Sequence, residues 1–171
     1  MPRFVAFLRG VMPTNAKMPE LRAAFEAAGF ANVKTVLGSG NVAFDTPLQD
    51  EAEIEQRAEK AMKQLLGRTF YTIARPAAYL QELLALDPFA THGIPPEAKR
   101  VISFMRDARD PKLPLPLAEH HASVFLATGR EIFTAYVPTS KGPVFMALIE
   151  RAFGANVTTR TLETVAKCAL T

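Results

Sequence analysis

The chain has 171 residues, a length that suits one compact domain or two small ones. Hydrophobic residues make up 49% and charged residues 22%, which is typical of a soluble globular protein and excludes general disorder. The net charge of +3 is too small to indicate nucleic acid by itself, and a single cysteine excludes an intramolecular disulfide or a cysteine-cluster metal site. No apolar run approaches the roughly 18 residues of a membrane span, and no signal sequence is visible, so we expect a cytoplasmic protein.

The first half of the chain predicts the element order βαββαβ. Apolar runs predict four strands, at residues 3–9, 33–37, 41–45 and 70–75. One helix begins at Pro19 and ends at Gly29, and a second begins with Thr46 as cap and Pro47 in its first turn. Gly67 ends the second helix. This order is typical of a ferredoxin-like unit.

Helical spacing predicts which faces of these two helices are buried. In the first helix the buried stripe is Leu21, Ala24, Phe25 and Ala28. In the second it is Ile54, Ala58, Ala61 and Leu65. We expect the charged side chains of the second helix on its solvated side: Glu51, Glu55, Glu59, Lys60 and Lys63.

The second half reads as a looser copy of the first. Strands are predicted at residues 100–106, 123–126, 131–137 and 156–160, and helices at 77–86 and 162–169. A further helix begins at Pro143 and ends at Gly154, with Phe145, Leu148, Ile149 and Ala152 buried. We therefore predict an α+β fold of two ferredoxin-like βαββαβ units, at 1–75 and 99–171, joined by a helix and proline-rich loop at 76–98.

Several segments of the chain resemble one bacterial family. They are FVAFLRGV at 4–11, Lys17, LRAAFEAAGFANVKT at 21–35, SGNVAF at 39–44, GREIF at 129–133 and TTRTLETVAK at 158–167. This pattern resembles the family catalogued as DUF1697 over nearly the whole chain. The resemblance implies a bacterial α+β protein with two ferredoxin-like halves, and it implies no known activity and no catalytic residues.

The topology of the first unit predicts a site for an anion. In a βαββαβ unit the end of the first strand, the start of the first helix and the turn between the second and third strands share one edge. That edge would gather Arg9, Gly10, Lys17, Ser39, Gly40 and Asn41. Two cations, a hydroxyl, an amide and backbone N–H groups are typical of an anion site. The structural alternative is that Arg9 pairs with a carboxylate and Ser-Gly-Asn is only a turn.

The second half offers a similar set of polar residues: Arg106, Thr128, Gly129, Arg130, Arg160, Thr164 and Lys167. Our leading hypothesis is that a small anionic or phosphorylated ligand binds in a cleft between the units, with Arg130 and Arg160 contributing from the second half. The alternative is that Thr128-Gly129-Arg130 is a hairpin turn and that Arg160 pairs with an acid.

No catalytic, metal or cofactor site is predicted. His120 and His121 are adjacent and point apart on a strand or helix, and no third ligand has suitable spacing. Cys168 lies near the end of the last helix, where the dipole does not favour a thiolate, so we expect an inert thiol. No nucleophile has an identifiable base partner.

Two alternative functions remain open at this point. One is an RNA-binding module that stacks bases on sheet phenylalanines, for which the candidates are Phe4, Phe7, Phe44, Phe104, Phe125 and Phe133. The RNA-binding signature of such modules is absent, and we expect most of these rings in the core. The other is a non-catalytic protein that self-associates or binds a partner through its sheet edges. The oligomeric state is not predicted.

Overall fold

A computed structural model of the chain describes residues 1–140, 142 and 144–171, which form two compact units. The first unit comprises Met1–Leu84 and Ala166–Thr171, and the second comprises Ala85–Val165. Each unit contains one antiparallel sheet with helices, so the fold is α+β, as predicted. Among the described residues, no helix is both long enough and apolar enough to cross a bilayer.

Strands and helices alternate in the first unit. They are β1 (Arg3–Leu8), α1 (Met18–Ala27), β2 (Ala31–Val36), β3 (Asn41–Asp45), α2 (Glu51–Leu66), β4 (Thr72–Pro76) and α3 (Ala77–Leu86). The sheet has the strand order β2-β3-β1-β4, and all neighbouring strands are antiparallel. The element order predicted from the sequence is therefore present in this unit.

The core of the first unit lies between one face of the sheet and the helices α1 and α2. Alternate side chains of a strand point to the same face, so Phe4, Ala6 and Leu8 all enter this core. Phe44 from β3 stacks on Phe30 with ring centroids 4.4 Å apart. The predicted stripe of α1 is confirmed at Leu21, Ala24 and Phe25, which are buried, whereas Ala28 is half-buried against the core.

The predicted start of the second helix is wrong. Helix α2 begins at Glu51, and its cap is Asp50, whose carboxylate accepts a hydrogen bond from the Ala52 N–H at 3.1 Å. The Thr46 hydroxyl oxygen instead accepts a hydrogen bond from the Leu48 N–H, in the segment that precedes the helix. Gly67 ends α2 in a left-handed conformation, as predicted, but Leu65 is 55% exposed rather than buried.

The predicted solvated face of α2 is also wrong at its glutamates. The Glu59 Oε2 atom accepts a hydrogen bond from the Thr72 N–H at 3.0 Å, and the Glu55 Oε2 atom accepts one from the Ala74 N–H at 2.9 Å. Residues four apart lie on the same face of a helix, and alternate amides of a strand point to the same side. The two glutamates of α2 therefore face the two N–H groups of β4. The outer edge of β4 is thus closed by carboxylates of α2.

The second unit begins with the end of α3. Its helices and strands are, in chain order, α4 (Pro88–Thr91), β5 (Lys99–Phe104), β6 (Leu117–Glu119), β7 (Ala122–Ala127), β8 (Glu131–Tyr136), α5 (Val144–Phe153), β9 (Thr158–Thr161) and α6 (Leu162–Ala169). The five strands form one sheet. The strand order is β6-β7-β8-β5-β9. The last residues of α6 belong to the first unit.

The second unit departs from the predicted βαββαβ order. Strands β7, β8, β5 and β9 follow one another as β2, β3, β1 and β4 do in the first unit. However, the described residues between β5 and β6 contain no helix, and this segment contains Pro111, Pro114 and Pro116, which oppose helix formation. The predictions also missed the short elements α4 and β6.

The core of the second unit packs α5 against one face of its sheet. Leu148, Ile149 and Ala152 are buried as predicted, whereas Phe145 is half-buried and stacks on Tyr136 with centroids 4.3 Å apart. The predicted start of this helix, Pro143, lies outside the described residues.

Candidate functional site

At the predicted edge of the first unit, the end of β1 meets the turn before β3. The Leu8 N–H donates a hydrogen bond of 2.8 Å to the Gly40 carbonyl, which joins the end of β1 to the turn before β3. The Arg9 N–H donates to the Tyr71 carbonyl at 2.9 Å. Arg9 is half-buried, and Lys17 is exposed at the N-cap of α1, where its side chain makes no capping hydrogen bond.

Asn41, Ser39 and Gly40 serve the structure of the β2–β3 hairpin. The buried Asn41 amide donates to the Val36 carbonyl at 3.0 Å and to the Ser39 Oγ atom at 2.9 Å. Gly40 has a φ of +84°, and a Cβ atom there would lie 2.8 Å from the Cγ2 atom of Val11. These polar groups therefore fix the turn and its packing.

The loop after Gly10 is fixed by one asparagine. The Asn15 side chain donates to the Gly10 carbonyl at 2.9 Å and accepts from the Met12 N–H at 2.8 Å. This arrangement leads the chain from the end of β1 to α1 without a glycine-rich segment.

Arg130 and Arg160 both lie in the second unit. Arg130 is in the β7–β8 turn, where its carbonyl accepts from the Met105 N–H at 2.9 Å. Arg160 is on β9, and its Nη1 atom donates to the Thr159 carbonyl at 2.9 Å. Their contribution to a ligand site stays a prediction.

The first unit contains a groove whose lining is rich in cations. It has a volume of about 380 Å³. Its lining residues come from α1, from β2 and the residue after it, and from the C-terminal segment: Arg22, Lys34, Thr35, Val36, Leu37, Lys167 and Thr171. Three of the lining side chains are basic and none is acidic. We call this set of residues the cationic groove.

Hydrogen bonds anchor the C-terminal side of the cationic groove within the first unit. The Gln81 side chain donates to the Ala169 carbonyl at 2.8 Å, and the Arg3 Nε atom donates to the backbone oxygen of Thr171 at 2.8 Å. The Thr171 hydroxyl donates to the Lys167 carbonyl at 2.6 Å. These bonds hold the backbone of Lys167 beside β2.

The positive charge of the cationic groove is largely uncompensated. The Arg22 Nε atom lies 3.5 Å from the Glu26 Oε1 atom, in an exposed pair one helical turn apart. Such exposed pairs contribute only about 0.3–0.5 kcal/mol. Within the described part of the chain, neither Lys34 nor Lys167 has an ion pair. An anion that enters the groove therefore meets cations that few local carboxylates neutralise.

Sequence reasoning missed Arg22 and Lys34. The cationic groove adjoins the predicted edge, since Leu37 immediately precedes the Gly38-Ser39-Gly40 turn. One signal in the sequence could have indicated this groove: Lys34 is the charged residue of a predicted strand whose other residues are uncharged. Lys167 was expected to act with residues of the second half, but its helix end belongs to the first unit.

A network at the opposite end of β3 holds the carboxyl group of Asp45. Asn32 donates to Asp45 Oδ2 at 2.7 Å, and Arg3 donates to Oδ1 at 2.9 Å. The hydrogen bond from Asn32, followed by that from Arg3, lowers the pKa of Asp45 below its usual value of 3.8. Because Arg3 also bonds Thr171, this network links the sheet to the C-terminal segment.

The second unit contains an apolar groove of about 440 Å³ beside the β6–β7 turn. His120 and His121 form this turn with φ values of 49° and 66°. His120 lies 3.4 Å from Glu119, which also pairs with Arg151 at 2.7 Å. Over the described ranges, no group of three potential metal ligands occurs.

The phenylalanines considered for base stacking are mostly core residues. Phe4, Phe7, Phe44, Phe104 and Phe133 are at most 3% exposed. Phe125 is half-buried and in ring contact with Phe89 and His92. No exposed pair of rings is available on these strands among the described residues.

The fold and the site together define an α+β protein of two sheet-containing units with a cationic groove on the first. A family model described as "Protein of unknown function (DUF1697)" matches residues 1–133, and the chain belongs to that family. The resemblance to this family is thus confirmed over residues 1–133, and the segment at 158–167 lies outside the matched range.

The chain is also similar to a solved structure, that of the conserved bacterial protein SP0830 from Streptococcus pneumoniae. The similarity covers 99% of this chain and 97% of that one, with a TM-score of 0.74 and 17% sequence identity. At this identity the likeness establishes the shared fold. A comparison with curated proteins finds no match.

Proposed function

We propose that this protein binds a small anionic or phosphorylated ligand, and that the cationic groove of its first unit holds the anionic group. The observation that carries the proposal is the convergence of Arg22, Lys34 and Lys167 from three separate elements on a groove without an acidic lining side chain. A hydrogen bond between a cation and an anion is stronger than a neutral hydrogen bond, so a site with these cations favours a phosphate or a carboxylate.

The size and chemistry of the cationic groove support this function. Its volume of about 380 Å³ lies in the range of small-ligand sites, about 300–1,000 Å³. Arg22 offers a planar fork of donors and the two lysines offer point charges. The Thr35 hydroxyl adds a neutral donor that can orient the ligand.

The proposal also covers the fold type and the setting of the protein. We propose that both units are ferredoxin-like, with the first crossover helix of the second unit replaced by the proline-rich segment before β6. The shared strand order of the two sheets supports this assignment. A bacterial, cytoplasmic setting is proposed from the sequence and from the bacterial description of the similar structure.

A thermal-shift titration tests the function. The probes are inorganic phosphate, pyrophosphate, a nucleoside triphosphate and a sugar phosphate, each at low and moderate salt. We expect at least one to raise the Tm in a dose-dependent manner, because a ligand that binds only the folded state stabilises it. The shift should be lost in Lys34→Ala and Lys167→Ala.

The matched control is Lys60→Ala, which removes an exposed lysine of α2 outside the cationic groove. It should retain the shift. Arg9→Ala tests the edge predicted from the sequence. If the rise in Tm is lost in Arg9→Ala but kept in Lys34→Ala and Lys167→Ala, the ligand binds at Arg9 and the cationic groove is not its site. No shift with any of the anions would contradict the function itself.

The RNA-binding alternative has less support. Five of the six candidate phenylalanines are buried, and the sixth, Phe125, is half-buried and already in ring contact with Phe89 and His92. The proposed function does not include a catalytic step.

A further inference from the structure

The two edge strands of the first sheet, β4 and β2, differ in what covers their outer backbone groups. At the β4 edge, the carboxylates of Glu59 and Glu55 bond the N–H groups of Thr72 and Ala74. At the other edge, β2 pairs only with β3 in the described residues, and the cationic groove runs along it through residues 34–37. An open edge offers backbone donors and acceptors to another extended chain.

The regular part of the β2 edge is short. The register of β2 against β3 shifts between Ala31 and Lys34, and Asn32 adopts a φ of 49°. This irregularity disrupts pairing at the start of the strand. From Lys34 to Val36 the register is continuous, with Lys34 opposite Ala43 and Val36 opposite Asn41. Lys34 and Val36 turn their main-chain N–H and C=O groups towards β3, where the Val36 carbonyl also accepts from Asn41, so Thr35 between them presents its groups to the open side.

We propose that this edge binds an extended acidic peptide segment as an additional strand, whose main chain pairs with the N–H and C=O groups of Thr35 and whose carboxylates meet Arg22, Lys34 and Lys167. This inference rests on the proposed function, because the same cationic groove holds the anionic groups. Edge-strand addition derives affinity from main-chain hydrogen bonds and specificity from alternate side chains.

Charge decides between an acidic partner and a second copy of the chain. Pairing of two β2 edges would bring the cations of two grooves together, and like charges across an interface disfavour association. A peptide with carboxylates at alternate positions would place them all on one side, since strand side chains alternate. An acidic strand therefore satisfies both the backbone and the charges of this edge.

The test measures binding of a blocked six-residue peptide of alternating glutamate and valine to the full chain by fluorescence anisotropy. Two matched peptides carry N-methyl groups on either the odd or the even backbone amides, which removes one set of donors without changing the charge. We expect the parent peptide to bind and one methylated peptide to bind at least tenfold more weakly. Lys34→Glu should weaken the parent at least tenfold, whereas Lys60→Glu should leave it unchanged.

The outcomes separate this inference from the proposed function. If both methylated peptides bind like the parent, main-chain pairing is overturned, and the anion site stands. If no peptide binds while pyrophosphate still raises the Tm, the peptide is overturned alone. If neither binds, both proposals fail. If sedimentation detects a dimer that Lys34→Glu alters, the edge belongs to a second copy, which also overturns the inference.

Discussion

The buried carboxylate of Glu55 accepts a hydrogen bond of 2.9 Å from the backbone N–H of Ala74. Glu55 lies on a helix and Ala74 on the edge strand that the helix covers. The bond satisfies a backbone donor on the outer side of β4, where no strand pairs in the described part of the chain. A helix side chain thus performs the role that a fifth strand would otherwise have at this edge.

Replacing Glu55 by alanine should destabilise the protein by about 1–3 kcal/mol, because the Ala74 N–H is left unsatisfied in a buried position. Urea unfolding followed by circular dichroism measures the change. Gln56→Ala, an exposed position on the same helix, is the control and should change the free energy of unfolding by less than about 0.5 kcal/mol. Equal effects of the two variants would mean that the bond contributes nothing to stability.

Gly40→Ala should destabilise the protein strongly. A side chain at a φ of +84° costs about 1–3 kcal/mol, and the added Cβ would also lie within 3 Å of Val11. Gly38→Ala in the same turn is the matched control, since its Cβ would meet no atom within 4 Å and its φ is not positive. Thermal unfolding compares the two. A Tm equal to that of wild type in Gly40→Ala would refute the tight approach of β1 and the turn.

Asn41→Ala should lower the free energy of unfolding by about 1–3 kcal/mol, because the Val36 carbonyl loses its side-chain donor. Ser39→Ala removes only the second acceptor of the same amide and should cost less. Chemical denaturation distinguishes the two. If Asn41→Ala is as stable as wild type but loses anion binding, Asn41 belongs to a ligand site rather than to the hairpin.

The lowered pKa of Asp45 makes one contribution to stability depend on pH. A carboxyl group with a folded pKa below its unfolded value stabilises the fold above the unfolded pKa. This contribution is lost as the pH falls through the folded pKa, below the usual value of 3.8. Asp45→Asn should therefore reduce the fall in stability of the wild type at acidic pH. Unfolding measured between neutral and acidic pH checks the slope.

A second variant separates the causes of this pKa. Asn32→Gly keeps the positive φ of Asn32 accessible and removes the side chain whose hydrogen bond has the largest effect. The pKa of Asp45, measured by carbon-detected NMR titration, should rise towards its usual value. A pKa that does not move would assign the shift to Arg3 alone.

Local signals predicted the first unit well. Gly29 and Gly67 both take left-handed conformations at helix ends, which only a residue without a Cβ adopts at little cost. The start of α2 was misplaced because Thr46 and Asp50 are both good caps, and neighbouring sequence does not choose between them. The prediction that Glu55 is solvated failed because helical spacing does not reveal that the outer edge of β4, the next element along the chain, needs hydrogen-bond acceptors.

The candidate site was harder to predict. Strand ends and a turn can be placed on one edge from topology, and Leu8 and Gly40 do meet there. The cationic groove depends on Arg22, Lys34 and Lys167, which are distant in the chain and are brought together by packing of the C-terminal segment. No spacing rule links them. The same limit applies to the second unit, where the predicted βαββαβ order implied a helix between β5 and β6 and the described residues there contain none.

Because the C-terminal segment is anchored by hydrogen bonds, Cys168 can report on how often that segment detaches. It is the one cysteine of the chain, and it is fully buried. A thiol reagent can reach it only when the residues around it open, so the rate of alkylation measures how often this segment detaches. Arg3 and Gln81 set that rate through their bonds to Thr171 and Ala169, and labelling kinetics therefore follow the assembly of one wall of the groove.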